Sequence, residues 1–428
     1  RERERVASDS NALYDVIYID PPYNTESSLS DGNSLKNGEK DDVAASKFIY
    51  RDKFSRTGWL NMMNERLRMA KDLLKEDGVI FVSIDDAEQA YLKVLMDEIF
   101  GEENFVANII WQNKYTISND KKNGITIQNE YIIMFSKNEK TLKLLNKPLR
   151  DEYIDKTYKN PDNDSRGLYM TVQMYKKKNP KSYEVISPAG IKFNLPWNFS
   201  KETFLKLQSD NRIYWGKNND SIPRKKVFLS ESKGSGNVNL IWDGKNNGYT
   251  SDGSSLIEKI LVDKNKFLYP KPITLIIQLL KMFDQDIRVL DFFAGSGTTG
   301  HAVMELNRED GGNRTFTLVT NNENNIAHDV TYERLYRINN GKGTKEETFK
   351  WLEKNEPYKQ NLNVFNIEYF DTQLFNDNVN NELIKQTLIK ELQDNGITTS
   401  TKFEKHLYYD LMSLKPLDND KEKQNDNN

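Results

Sequence analysis

Two short strings hold the residues with chemical possibilities. The first is Asp20-Pro21-Pro22-Tyr23, which closes the apolar run "YDVIYI" (14–19). An aspartate carboxylate accepts hydrogen bonds, and a tyrosine ring offers a flat surface for stacking. The two prolines have fixed φ and no N–H, so a carbonyl between them is rigidly presented as a further acceptor. The second string is "VLDFFAGSGTTG" (289–300), which contains G-x-G-x-x-G from Gly295 to Gly300. Glycines let the backbone approach a ligand, and the N-terminus of the helix that follows favours an anionic group. Glu323 follows the next apolar run, where a ribose-binding carboxylate belongs. No Gly-Lys-Ser/Thr accompanies the glycines, which excludes a Walker A nucleotide site. Alone, the glycine string fits NAD, FAD, S-adenosylmethionine or a tight turn that binds nothing. Alone, D-P-P-Y fits a turn that ends a strand.

Strands and helices must position these residues. The first is the strand 14–19, followed by a polar stretch, 26–46, that reads as a long loop. The segment 57–75 places Trp59, Met62, Met63, Leu67, Ala70 and Leu74 at helical spacing, and Asp77-Gly78 ends it. The spacing then predicts strand 79–84, helix 85–101 and strand 129–137. Alternation returns with helix 269–283, which has Pro272 near its first turn, strand 287–293, helix 298–306 and strand 315–320. This pattern implies an α/β fold with a doubly wound, mostly parallel, Rossmann-like sheet. Its halves are 1–144 and 266–340, interrupted by an insert at 145–265 that is rich in Asn, Lys, Tyr, Ser and Gly. Residues 341–428 read as a helical tail, notably "NELIKQTLIKELQ" (381–393), with a disordered end. In parallel sheets the ligand crevice lies at the carboxyl ends of the strands. Asp20 and Asp291 both end strands, so both loops are expected to face one site.

Composition bounds the partners. Lys and Arg number 61 against 64 Asp and Glu, a net charge of -3, so a nucleic-acid partner must be held by local patches. The absence of cysteine excludes disulfides and thiolate zinc sites and suits a cytoplasmic location. The three histidines (His301, His328 and His406) are scattered, and no metal is expected. The longest apolar runs, such as 273–280, are too short to span a membrane. The first residues, "RERERVASDS", lack the apolar core of a signal peptide, and a start at Arg1 implies that the native initiation site lies elsewhere.

Taken together, the strings resemble the amino-methylating DNA methyltransferases, which carry [D/N/S]-P-P-[Y/F/W] as catalytic motif and F-x-G-x-G as cofactor motif. Here these are Asp20–Tyr23 and Phe293-Ala294-Gly295-Ser296-Gly297. The order, with the catalytic motif first, then an insert, then the cofactor motif, is that of the β group. The strings "DPPYNT", "FGEENFVANIIWQNK", "FFAGSGTTGHAV" and "TNNENNIAHDVTYERL" look most like the modification subunit of a Type III restriction–modification system. Such subunits usually carry more sequence before the catalytic motif.

The resemblance implies S-adenosylmethionine as cofactor and the N6 amine of a flipped-out adenine as target. That amine is a poor nucleophile, because its lone pair is delocalised into the ring. Asp20 and the carbonyl of Pro21 would accept its hydrogens, and Tyr23 would stack on the base. Phe293, Ala294, Gly295 and Gly297 would surround the methionine part, with Asp291 ending the strand before them. Thr298 and Thr299 would cap the helix and meet the carboxylate, and Glu323 would take the ribose hydroxyls. Lys271-Pro272 matches the family segment near the methionine moiety.

The insert is then the expected target-recognition domain. "QMYKKKNPKSY" (173–183) and "RIYWGKNNDSIPRKK" (212–226) interleave bases with aromatics. They nominate Lys176, Lys177, Lys178, Arg212, Arg224, Lys225 and Lys226 for contact with double-stranded DNA. A homodimer and a restriction (helicase/nuclease) subunit are the other expected partners. The alternatives are a cytosine-N4 enzyme, a stand-alone adenine methyltransferase, an NAD- or FAD-dependent oxidoreductase, and a DNA-specificity protein without catalysis. The oxidoreductase leaves Asp20–Tyr23 unexplained, and an intact Asp20 and Tyr23 argue against the last.

Overall fold

Strand β1 (Tyr14–Ile19) sends Val16 and Tyr18 to one side and Ile17 and Ile19 to the other, and all four are buried. Burial on both faces is why this run reads as continuous apolar sequence. After it come α1 (Arg56–Leu73), β2 (Leu74–Ile84), α2 (Gln89–Phe100), β3 (Phe105–Gln112) and β4 (Asn129–Ser136). The insert contributes β5 (Tyr169–Gln173), β6 (Ser182–Ile186), β7 (Lys192–Pro196), α3 (Lys201–Ser209), β8 (Ile213–Tyr214) and β9 (Arg224–Phe228). The chain returns through α4 (Thr250–Leu261), α5 (Ile273–Leu280), β10 (Arg288–Asp291), α6 (Thr298–Asp310), β11 (Thr315–Leu318) and α7 (Glu333–Asn340). The computed structural model describes residues 13–24, 54, 56–117, 125–149, 151–176, 182–237, 242–262, 267–367, 386–390 and 393.

The main sheet has six strands in the order β11-β10-β1-β2-β4-β3. The first four run parallel, while β4 is antiparallel to both β2 and β3. The α/β, doubly wound and mostly parallel architecture is thus present, with one correction. The segment 129–136, which the alternation placed in a parallel sheet, runs backwards as one arm of a β3–β4 pair. A parallel return needs a crossover, usually a helix, and the described residues between β3 and β4 contain none. Strand β3 itself escaped the pattern reading.

Helices cover both faces. On one side α1 and α2 press Trp59, Met63, Leu67, Leu92 and Met96 onto Ile17, Ile80 and Ile133. On the other, α5 and α6 press Leu275, Leu279, Ala302 and Val303 onto Val16, Phe81 and Val289. Each large apolar side chain buried this way contributes roughly 1.5–3 kcal/mol. The expected turn at Asp77-Gly78 is instead a bulge inside β2. Tyr14 pairs with Leu74 and Val16 already with Val79, so the extra residues of β2 loop out between those pairs.

Lys147 and Ser235 exchange backbone hydrogen bonds of 2.9 and 2.8 Å, which bring the two ends of the segment 147–235 together. Inside it, β5, β9 and β8 form one sheet and β6 and β7 another, around Met174, Trp197, Phe204, Ile213 and Trp215. Residues from Trp242 onward rejoin the main sheet. Trp242 donates to the carbonyl of Ile110 at 2.7 Å and lies in the same core as Val16. The chain forms two compact units, Arg1–Gln360 and Asn361–Asn428. Residues 386–390 of the second are helical, within the run read as helix. The expected loop 26–46 and the end of the tail lie outside the described residues. No helix among the described residues is long and apolar enough to cross a membrane.

Candidate active site

Asp20 follows the last residue of β1, and β10 pairs with β1 through Val16–Val289 and Ile17–Leu290. Asp291 is the last residue of β10, so the glycine loop opens beside Asp20 at the same sheet edge. β4 reaches this edge too. Because it runs antiparallel to β2, its first residues lie where β2 ends, and Glu130 arrives there.

The Asp20–Tyr23 motif is held from several sides. Trp59, in the first turn of α1, donates its indole N–H to the carbonyl of Pro22 at 2.7 Å. Asn24 takes a left-handed φ of 60°, a conformation asparagine tolerates better than most residues. Its buried amide donates to Glu88 at 2.8 Å and accepts from the Phe54 backbone at 2.9 Å. The chain therefore turns sharply just after Tyr23.

Lys271 crosses to this motif. The helix expected from 269 begins only at Ile273, with Pro272 as its N-cap, so Lys271 lies in the extended lead. Its ammonium sits 2.8 and 2.9 Å from the two Asp20 oxygens and 3.4 Å from Glu130. It also lies 4.8 Å from the centre of the Tyr23 ring. Glu130 accepts from the Tyr23 hydroxyl at 3.1 Å and from Asn113 at 2.6 Å. Burial works against the charge on Lys271, but Asp20 and Glu130 overcome it and hold its pKa above the ordinary lysine value. Burial pushes the Asp20 carboxyl upward, and the ammonium beside it pulls back.

The glycine loop is braced from inside. Gly295 and Gly297 adopt φ of 49° and 75°, where a side chain would be strained. Asp291 accepts from the Phe293 backbone at 3.0 Å and from the Thr299 hydroxyl at 2.5 Å. Burial lifts the Asp291 pKa to about 7. The Thr331 hydroxyl, on a π-helical turn at Ala327–Tyr332, donates to the Gly295 carbonyl at 2.6 Å. Beneath the loop lies Arg334, almost fully buried. It donates to the Ser296 carbonyl at 3.0 Å, to the Thr298 hydroxyl at 3.0 Å and to His301 Nδ1 at 3.1 Å. Burial lowers its pKa to about 9, which leaves it charged at neutral pH. Burial and the Arg334 charge push His301 well below the ordinary imidazole range, so this histidine is neutral. The start of α6 thus combines a helix N-terminus with a buried cation.

The site residues expected from sequence divide accordingly. Asp20, Pro21, Pro22, Tyr23 and Lys271 converge, and Phe293, Ala294, Gly295 and Gly297 adjoin them across the β1–β10 pair. Asp291 and Thr299 face each other inside the turn, and the Thr298 hydroxyl is engaged by Arg334 and by the Lys271 carbonyl at 3.3 Å. All three are buried and brace the loop from inside. Lys271 binds Asp20 through its ammonium and meets Thr298 through its carbonyl. Glu323 is exposed in a short turn beyond β11, whose carboxyl end opens on the same edge.

Among the basic residues of the insert, Lys226 leaves the DNA set. Its side chain is fully buried, with the ammonium 2.5 Å from Asp162 and 2.9 Å from Asp164. Arg212 is gripped by Glu231 at 2.5 Å and by Asp210 at 2.6 Å, which also holds its pKa above the usual value. Trp215, an aromatic within the run 212–226, is core. Lys176 and Arg224 are exposed, and Lys225 is half-buried. Lys177 and Lys178 lie outside the described residues.

Sequence reasoning missed Glu130, Asn113, Trp59 and Arg334. An acid and an amide heading the apolar run "NEYIIMFS" was a usable signal for Glu130. Nothing in "YERLYRI" marks Arg334 as buried.

A family profile described as DNA methylase matches residues 14–323. Among curated proteins, the chain is 40% identical over 349 residues to the Type III restriction-modification enzyme StyLTI Mod subunit of Salmonella typhimurium, covering 76% of this chain and 52% of that one. It is 30% identical over 367 residues to the Type II methyltransferase M.KpnI of Klebsiella pneumoniae, covering 78% of this chain and 81% of that one. Among solved structures, the crystal structure of the M1.HpyAVI–SAM complex aligns with a TM-score of 0.35 and 13% identity, over 79% of this chain and 95% of that one. The chain therefore spans about half the length of the Type III relative.

Proposed function

The chain belongs to the DNA methylase family, and from that membership we propose that it transfers a methyl group from S-adenosylmethionine to the N6 amine of an adenine turned out of double-stranded DNA. The observation that carries this reading is the meeting of two strand ends. The acid of D-P-P-Y and the glycine loop sit at adjacent parallel strands, and Lys271 touches both, through its ammonium to Asp20 and its carbonyl to Thr298.

When bound, the cofactor supplies an electrophilic methyl group on a sulfonium. The residues present suit it. The loop is glycine-lined, the cation beneath it favours a carboxylate, and the Nε of Arg334 is buried without a hydrogen-bond partner. Asp20 accepts one hydrogen of the target amine and so favours positive charge developing on the nitrogen. The Pro22 carbonyl is already engaged by Trp59, so the second acceptor is the carbonyl of Pro21. Tyr23, anchored at its hydroxyl by Glu130, offers its ring to the extruded base.

The names of the StyLTI and M.KpnI relatives support a role as the modification component of a restriction–modification system. A restriction subunit is then a partner, and the insert is the target-recognition domain. We infer a homodimer as the working form. Met69 on α1 and Tyr115, Ile117, Ile125 and Ile127 around the β3–β4 connection are exposed apolar residues that pairing would cover.

Incubation with methyl-labelled S-adenosylmethionine and mixed-sequence DNA, followed by single-molecule sequencing, tests the activity. Label on adenine in one fixed sequence context is the expected result. Label on cytosine would move the target to N4. Unlabelled DNA together with binding of NAD would overturn the reading.

A further inference from the structure

We propose that Glu130 is a positioning residue of this site, the second carboxylate to which the Lys271 ammonium shifts when the target amine takes Asp20. The inference rests on the methyl-transfer reading above. In the free protein the ammonium lies 2.8 and 2.9 Å from the two oxygens of Asp20. An incoming amine needs one of those oxygens. A buried ammonium that gives up a carboxylate must find another, because an uncompensated buried charge is strongly disfavoured. Glu130 Oε2 stands 3.4 Å from the same nitrogen, a gap that a small swing of the lysine stem closes.

Glu130 is built to receive it. Its Oε1 is pinned by Asn113 at 2.6 Å, and its Oε2 accepts the Tyr23 hydroxyl at 3.1 Å. The same carboxylate therefore fixes the ring that meets the base and the cation that must leave the acid. The ammonium lies 4.8 Å from the centre of that ring, so the shift keeps acid, ring and cation in register.

Glu130→Gln isolates the charge. A glutamine oxygen still accepts from Tyr23, and its amide N–H can donate to Asn113, whose Oδ1 is buried without a partner and is presented once that amide turns. Single-turnover methyl transfer at saturating cofactor and DNA should fall about 100-fold, with the affinity for each ligand unchanged. The deciding arm is Lys271→Met. With no ammonium to relocate, adding Glu130→Gln to that background should cost nothing more, a strong departure from additivity. A Glu130→Gln protein at the wild-type rate overturns the inference. So does an equal loss in both backgrounds, which marks a purely structural role. A wild-type protein that leaves DNA unmethylated overturns the parent reading instead, and this one with it.

Discussion

At the scale of single residues, Asp20 and Asp291 end neighbouring strands yet meet opposite demands. Asp20 keeps 27% of its side chain exposed and faces a cation, whereas Asp291 is sealed beneath the loop. If Asp20 serves as an acceptor, its oxygen matters more than its charge. Asp20→Asn should then retain part of the single-turnover rate. Asp20→Ala should lose about 100- to 1000-fold, or about 2.7–4 kcal/mol. DNA affinity should survive in both, because phosphate contacts elsewhere carry most of it. An Asp20→Ala protein that methylates at the wild-type rate would reduce the aspartate to a strand terminator. Asp291 predicts a pH effect on stability instead. Its pKa of about 7 lies above the ordinary 3.8, so between those values the folded state binds the extra proton. That contribution is full below about pH 4 and is lost as the pH rises through 7. Denaturant melts of wild type and Asp291→Asn should therefore diverge in favour of the asparagine from pH 4 to 7 and run parallel above. A constant difference across that range would refute the burial argument.

At the scale of elements, the position of Lys271 depends on a glycine far from either motif. Gly253 lies in α4, and a Cβ there would stand 2.1 Å from the Pro270 carbonyl oxygen and 3.0 Å from the Lys271 backbone. These neighbours are main chain, so they move only if the whole lead into α5 moves. Gly253→Ala should cost about 1–3 kcal/mol through overpacking. It should also lower methyl transfer more than cofactor affinity, because the displaced group is the partner of Asp20. A thermal melt and a rate at saturating cofactor check both halves. Gly300 works differently, since it lets α6 approach Phe316 and Leu318 of β11 and so sets the height of the loop over the sheet.

At the scale of the whole molecule, the net charge of -3 means that the proposed DNA binding must rest on local groups. Buried pairing removes Lys226 from them, and the carboxylates of Glu231 and Asp210 restrain Arg212. Arg224 instead donates to the hydroxyl and carbonyl of Thr171, which leaves its charge available, and the Lys225 ammonium lies 5.8 Å from the centre of the Phe199 ring. Replacing Arg224 and Lys225 together by alanine should weaken DNA binding and flatten its salt dependence by roughly one unit of slope for each phosphate no longer neutralised. Lys226→Ala should instead destabilise the β5–β9–β8 sheet by about 1–3 kcal/mol, because Asp162 and Asp164 lose the buried ammonium while Asp164 keeps Arg166 and Asp162 keeps the Tyr169 hydroxyl. Wild-type DNA affinity and salt slope in the Arg224/Lys225 variant would make that pair part of a solvated face. Pairing of chains is checked by light scattering at micromolar concentration. The expected mass is twice 49.9 kDa, and a mass of 49.9 kDa would rule the dimer out.

What the linear chain determined by itself was set by local chemistry. Strands buried on both faces must be apolar throughout, and D-P-P-Y and the glycine loop must follow such strands, so the sheet and its two motifs are legible at 14–23 and 289–300. Tertiary structure decided the rest, because the deciding contacts join residues distant in sequence. The reversal of β4 is the plainest case. Run parallel, as the alternation implied, its first residues would lie at the far edge of the sheet. Run antiparallel, it delivers Glu130 to Tyr23 and Lys271. The same holds for charge. "RKK" at 224–226 reads as three equivalent bases. In β9, Lys226 shares the buried face of Phe228 and meets Asp162 and Asp164, Lys225 alternates to the other face, and Arg224 stays exposed at the strand's start. Local sequence specifies which groups are available, and only the packing of distant segments decides which of them are paired and which face a ligand.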